Sequence, residues 1–304
     1  MTYDIIIPVA YRDYIFLKKT IKYIKTNLNA NHIYIITHTD MLDIMPSSIK
    51  KDSRCIIVDE NSVIDGISFN KIKDLLIKYQ YKDQRVGWYL QQFIKMGFAQ
   101  SKYCNTDYYL SWDADTLPVK PIEFFSNDDH PYFDMKSEHH QPYFDTIEKL
   151  FKISKANSKS FIAEHMIFNR KIMDQLINDI ENNESLLGDN WVEKILSSGN
   201  PNDQFVFSEF ETYGNYCYNK YPDLYIERQL PSFRAGGVIM GRFITDKIIN
   251  QLSIDVYIAS FELYDKPPFP WNVLHYFYTL FVKKYLLKIC SFKKLSILPL
   301  IFSI

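Results

Sequence analysis

The stretch "DYYLSWDADTLPVKPI", Asp107–Ile122, decides how this chain is read. An apolar, aromatic run delivers two carboxylates, Asp113 and Asp115, with only Ala114 between them, and Pro118 then stops it. Residues two apart in an extended chain lie on the same side, so both acids face one point in space. Either they cap a turn, as Asp commonly does, or they hold something positive.

The sequence upstream favours a site. "YDIIIPVA" is an unbroken apolar run of strand length, and "YIFLKKTIKYIKTNL" follows it with apolar positions at helical spacing. "HIYIITHTD" and "RCIIVDEN" read as two further strands, and "RVGWYLQQFIKMGFAQ" as a helix leading into "DYYLSW". Short buried strands alternating with helices predict an α/β fold with a mostly parallel sheet. Ligands in such sheets bind beyond the carboxyl ends of the strands. Tyr11 with Arg12, Asp40, Asp59 with Glu60, and Asp113 with Asp115 all lie just past expected strand ends.

Composition removes several classes. The 304 residues suffice for one large core, and the hydrophobic share of 47% fits a folded protein. A formal net charge of -1 supplies no global field to collect nucleic acid. Four well-separated cysteines, Cys55, Cys104, Cys217 and Cys290, form no CxxC pair and suit a reducing, cytoplasmic compartment. Neither GxGxxG nor GxxxxGK[ST] occurs, which argues against dinucleotide and P-loop chemistry.

Downstream of Pro118, "SFIAEHMIFNRKIMDQLINDIE" reads as strand then helix, while "NWVEKIL" and "DQFVFSEFETYGNYCYNKYP" read as helical. Beyond Asp265 no acid occurs, and five lysines from Lys283 to Lys294 interrupt a bulky apolar tail. Such a segment fits a membrane-surface anchor on anionic lipid, or a terminal helix docked on the core. The expected division is one catalytic domain over 1–265 and a basic extension over 266–304. That domain divides at about residue 120 into 1–120 and 121–265.

Two acids at DxD spacing suit Mg²⁺ or Mn²⁺, which share carboxylates with substrate phosphates. "YLSWDADTL" fits the DxDxT nucleophile motif of haloacid-dehalogenase-like phosphatases, in which Asp113 would attack phosphorus. The wider set of motifs resembles the GT-A glycosyltransferases. "IIIPVAYRDY" resembles their opening strand and loop, and "DYYLSWDADTLPVKPIEFF" their DxD strand. "RVGWYLQQFIKMGFA", "SFIAEHMIF" and "SEFETYGNY" resemble motifs of a bacterial group of such enzymes from surface-polysaccharide loci, long catalogued as a domain of unknown function. The resemblance spans about residues 3 to 230 and implies a donor half over about 1–120 and an acceptor half over about 121–265.

The resemblance implies a sugar transferred from a nucleoside diphosphate, UDP favoured, to a hydroxyl of a surface glycan or lipid-linked oligosaccharide. A lipid-linked acceptor would place the chain at the inner face of the cytoplasmic membrane. Asp113 and Asp115 would bind metal and diphosphate, and Pro8, Tyr11 and Asp59 would line the nucleoside pocket. Arg85 is a phosphate candidate, Gln91 and Gln92 are acceptor candidates, and His165 is a candidate for acceptor or metal. Inverting transfer needs a carboxylate base, for which Glu209 and Glu211 stand first and Asp203 stays open. A non-catalytic nucleotide-sugar binder on the same scaffold remains the third reading.

Overall fold

The computed structural model describes residues 1–262, apart from 204, 235, 242 and 243, and beyond them 269, 270, 272–274 and 277. The basic extension expected over 266–304 therefore lies almost wholly outside the described residues. No helix among those described is long and apolar enough to cross a membrane.

The chain runs β1 (Tyr3–Val9), α1 (Tyr14–Asn27), β2 (Ile33–Thr37), α2 (Thr39–Ile44), α3 (Ser47–Lys50), β3 (Cys55–Asp59), α4 (Phe69–Lys78), α5 (Val86–Gly97), β4 (Tyr108–Trp112) and β5 (Thr116–Pro118). It continues with β6 (Tyr132–Asp134), α6 (Gln141–Phe151), β7 (His165–Asn169), α7 (Arg170–Glu181), α8 (Trp191–Ser198) and α9 (Glu209–Lys220). The last elements are β8 (Ile226–Arg228), β9 (Ser232–Phe233), α10 (Gly236–Met240), α11 (Asp246–Asp255) and β10 (Ile258–Ser260).

The main sheet has the order β3-β2-β1-β4-β7. Its first four strands are parallel and β7 runs antiparallel to β4. All seven residues of β1 and all five of β2 and of β4 are buried, because helices cover both faces of a sheet built this way. Hence these strands read as continuous apolar runs rather than as alternating ones.

The strand order creates a crevice. The chain first builds outward from β1 through β2 to β3, then returns to place β4 on the other side of β1, which is a topological switch point. The β1–β4 ladder ends at Ile6↔Ser111, while β1–β2 continues to Val9↔Thr37. Ile5 donates its N–H toward β2, so the N–H of every second residue, Ile6 and then position 8, faces β4. Position 8 is Pro, which has no N–H to give. The two central strands part there, with Asp113 at the opening.

Helix starts follow capping chemistry. Ser68, Asn169, Asn190, Ser208 and Thr245 each accept a backbone N–H of the first turn of the helix that follows. Ser208 corrects the helical reading of "DQFVFSEFE": the helix begins only at Glu209, and 205–208 is non-helical. Gly214 inside α9 has a packing reason, since a Cβ there would stand 2.2 Å from the Phe161 ring.

A feature absent from the sequence reading joins the aspartate turn to residues far downstream. β5 pairs antiparallel with β10, and β10 pairs parallel with β9. Phe261 N–H donates to Asp115 C=O at 3.0 Å, so residues 232–261 buttress the turn that carries the two aspartates.

Candidate active site

The Asp113–Asp115 turn is held by its backbone. Thr116 N–H donates to Asp113 C=O, Thr20 Oγ1 to Ala114 C=O at 2.6 Å, and Trp112 Nε1 to Thr116 C=O at 2.9 Å. Asp113 N–H donates to Glu164 C=O, extending the β4–β7 ladder one step past Trp112↔His165. With its backbone committed in this way, the turn leaves the Asp113 side chain 38% exposed.

A group missed by the sequence reading stands behind Asp113. The ammonium of Lys95, on α5, is buried between Asp113 Oδ1 at 3.0 Å and Glu209 Oε1 at 2.9 Å. Burial alone would lower the lysine's pKa, but the two carboxylates more than reverse this and hold it above its ordinary range. Lys95 also lies over the Phe210 ring. One buried cation thus joins the aspartate turn to the first residue of α9.

Of the base candidates, Glu209 is the one placed beside Asp113, through this lysine. Glu211 is buried and occupied, accepting from Ser160 Oγ at 2.6 Å and Asn215 Nδ2 at 3.1 Å. Burial raises its pKa and these hydrogen bonds moderate the rise. Asp203 sits in a turn closed onto Asn200, and it is Tyr81 whose ionisation it opposes.

The expected nucleoside end assembles beyond β1, β2 and β3. Pro8 is buried in β1, and the Tyr11 hydroxyl makes a long 3.5 Å contact with Asp40 Oδ2. Asp59 accepts from Thr39 Oγ1 at 2.7 Å and from both the backbone and side-chain N–H of Asn61 at 2.9 Å. Burial pulls its pKa up, but those donors hold it below the ordinary value. Beside it, Glu60 is pushed up to about 7 by burial and by the Asp59 charge.

The sign follows directly for Glu60. Its folded pKa exceeds the unfolded value of about 4.3, so the stability it contributes is full below about pH 4 and is lost as pH rises through about 7. Glu60→Gln is expected to stabilise the protein at pH 8 relative to wild type and to leave pH 4 nearly unchanged. Urea midpoints at the two values check this, and equal shifts at both would contradict it.

Four further candidates lie on or beside α5 and on β7. Arg85 stacks its guanidinium 4.4 Å over the Phe205 ring, which Trp88 meets edge-on. Gln92 is buried, its Oε1 accepting the Glu209 N–H at 3.2 Å and its amide donating to Trp88 C=O, so it closes the start of α9. Gln91 is half-buried on α5. His165 is buried and stacked on Trp112, with Nε2 2.7 Å from Asp134 Oδ2. Arg228 grips the same carboxylate at 2.7 and 2.8 Å. The structure therefore keeps His165 within a buried polar triad rather than bringing it to the two aspartates.

A divalent cation fits this donor set. No three His, Cys, Asp or Glu side chains converge as a metal cage among the described residues. Mg²⁺ and Mn²⁺ take one or two carboxylates and complete their shell with phosphate and water, and Asp113 and Asp115 are the residues that would hold such an ion.

Among solved structures, the chain is similar to the galactosyltransferase LgtC in complex with donor and acceptor sugar analogs. Identity is 9% and the TM-score 0.48, covering 85% of this chain and 86% of that one. It is also similar to mouse xyloside xylosyltransferase 1 in its apo form (10% identity, TM-score 0.44, 88% of this chain and 99% of that one). A third is the apo glycosyltransferase GlyE of Streptococcus pneumoniae (11% identity, TM-score 0.41, 95% of this chain and 64% of that one). No curated protein matches the sequence. A family model does match, over residues 4–229, which spans β1 through β8 and every side chain of the site just described: the chain belongs to DUF6492, a family of unknown function.

Proposed function

We propose that the protein is a glycosyltransferase, using a nucleoside-diphosphate sugar, UDP-linked by preference, and a hydroxyl acceptor on a surface glycan or lipid-linked oligosaccharide. The observation that carries this reading is the crevice between β1 and β4, with Asp113 at its opening and hydrogen-bonding groups of Tyr11, Asp40 and Asp59 along the same sheet edge. Its length suits an extended ligand with a base at one end and a diphosphate at the other. Mn²⁺ or Mg²⁺, held by Asp113 and Asp115, would neutralise the leaving diphosphate. Lys95 fixes the Asp113 carboxylate for that task. A lipid-linked acceptor is in keeping with the basic tail and puts the reaction at the inner face of the cytoplasmic membrane.

The phosphatase alternative needs a later strand ending on paired acids beside Asp113 to complete its metal site. The nearest strand ending on an acid pair is β3, with Asp59 and Glu60, and it lies three strands away in the sheet order, about 14 Å at ordinary strand spacing. The nucleotide-sugar reading uses both sets of acids without requiring them to touch.

The test is metal-dependent nucleotide binding. UDP is expected to bind in the presence of Mn²⁺, and Asp115→Asn to weaken that binding more than roughly tenfold, about 1.4 kcal/mol. Titration calorimetry with and without EDTA measures it. UDP affinity indifferent both to EDTA and to Asp115→Asn would contradict the proposal.

A further inference from the structure

Three buried glutamates stand near the aspartate turn, and Glu164 is the one of the three whose carboxylate makes no hydrogen bond. Glu209 is bound by Lys95, and Glu211 by Ser160 and Asn215. Glu164 is 2% exposed, yet neither carboxylate oxygen makes a hydrogen bond. Its neighbours are cations: Arg234 Nε at 3.3 Å from Oε1 and Lys136 Nζ at 3.8 Å from Oε2. These contacts set a cation beside each carboxylate oxygen without a hydrogen bond to either. A buried carboxylate without hydrogen bonds is costly to a fold, and such costs concentrate where function needs the group.

Its position gives the cost a purpose. Glu164 is the ladder partner of Asp113, whose N–H it accepts at 3.2 Å, which sets the two Cα atoms about 5.5 Å apart. Arg234 follows β9, whose neighbour β10 is joined to the aspartate turn through Ser260 with Thr116 and through Phe261 with Asp115. The Glu164 carboxylate is therefore enclosed between the metal-binding turn and the β9–β10 sheet, on the chain's acceptor half. Over it lies Arg234, itself 36% exposed and paired with Glu138, a long side chain that an incoming hydroxyl can displace.

Resting on the glycosyl-transfer reading above, we infer that Glu164 is the base for the acceptor. The acceptor oxygen attacks the anomeric carbon and forms the new C–O bond. The bond from that carbon to the diphosphate oxygen breaks, with the electron pair leaving on the diphosphate. The hydroxyl proton passes to a Glu164 oxygen. Attack opposite the leaving group inverts the anomeric centre.

The experiment measures nucleoside diphosphate release from UDP- and GDP-sugars, water serving as acceptor, in wild type, Glu164→Gln and Glu164→Ala. Both variants are expected to keep wild-type affinity for UDP with Mn²⁺ and to lose about 10²-fold or more in release, the scale of general-base catalysis. Sodium azide, a nucleophile with no proton to lose, is expected to restore release in Glu164→Ala and to yield the inverted glycosyl azide. A Glu164→Gln protein that turns over donor at the wild-type rate overturns the assignment alone. So does a Glu164→Ala protein that binds UDP but gains nothing from azide. A wild type that releases nothing from any donor overturns the glycosyl-transfer reading and this assignment together.

Discussion

Lys95→Met is expected to cost about 3–5 kcal/mol of folding stability, the usual penalty for stripping one partner from a buried ion pair. The penalty falls on Glu209, which is 5% exposed and would lose the cation paired with it. Asp113 contributes less, because its 38% exposure lets water replace the lost partner. Methionine matches the lysine stem in length, so packing changes little and the electrostatic effect is isolated. A double variant, Lys95→Met with Glu209→Gln, is expected to recover most of the loss, since it removes the orphaned charge along with its partner. Urea unfolding of the four proteins in the cycle measures the coupling. Independent, additive costs would show that the two groups do not act as a pair.

Arg228→Leu is expected to be comparably severe. Asp134 is buried, and Arg228 supplies two of its three charge-assisted hydrogen bonds, His165 the third. Arg228 also lies 4.4 Å over the Tyr132 ring, so the substitution loses a cation–π contact too. Burial would raise the Asp134 pKa, but Arg228 and His165 reverse this and hold it well below the ordinary carboxylate range. A depressed folded pKa contributes stability that is present above the unfolded value of about 3.9 and lost as pH falls through the folded value. The destabilisation by Arg228→Leu, about 3–5 kcal/mol, should therefore be full near neutral pH and shrink below about pH 4. Urea midpoints of the two proteins across that range check it. A penalty that stays constant down to pH 2 would mean that the arginine stem, not its charge, matters.

The central sheet was legible in the sequence because its strands β1, β2 and β4 are buried on both faces. Such strands carry unbroken apolar runs, and the polar residues that follow them mark the strand ends. The aspartate turn was legible for the same reason: a run as apolar as "YYLSW" has no structural need to end on two acids. The three-stranded sheet of β5, β9 and β10 was not legible. Its strands are two or three residues long, too short for periodicity, and β5 meets β10 across more than 100 residues of chain.

Within the site, Glu209 was placed near the aspartates, but its actual partner was overlooked. Lys95 does leave a trace, since it sits in "FIKMGF" among Phe93, Ile94, Met96 and Gly97, all buried. A lysine in the middle of a core-facing turn needs an acid, and the helix wheel alone could have flagged it. His165 misled because a histidine in an apolar strand reads alike whether it binds ligand or, as here, a buried aspartate 31 residues away. Glu164 was passed over for its more familiar neighbour. Its signal, a carboxylate without hydrogen bonds, exists only in three dimensions.

The most direct test of the account is nucleoside diphosphate release from a panel of UDP- and GDP-sugars with Mn²⁺, Mg²⁺ or EDTA, on wild type and Asp115→Ala. The account predicts slow turnover of one donor with a divalent cation, abolished by EDTA and by the substitution. No turnover of any donor, alongside metal-dependent release of phosphate from a generic phosphomonoester, would contradict it and make Asp113 a nucleophile.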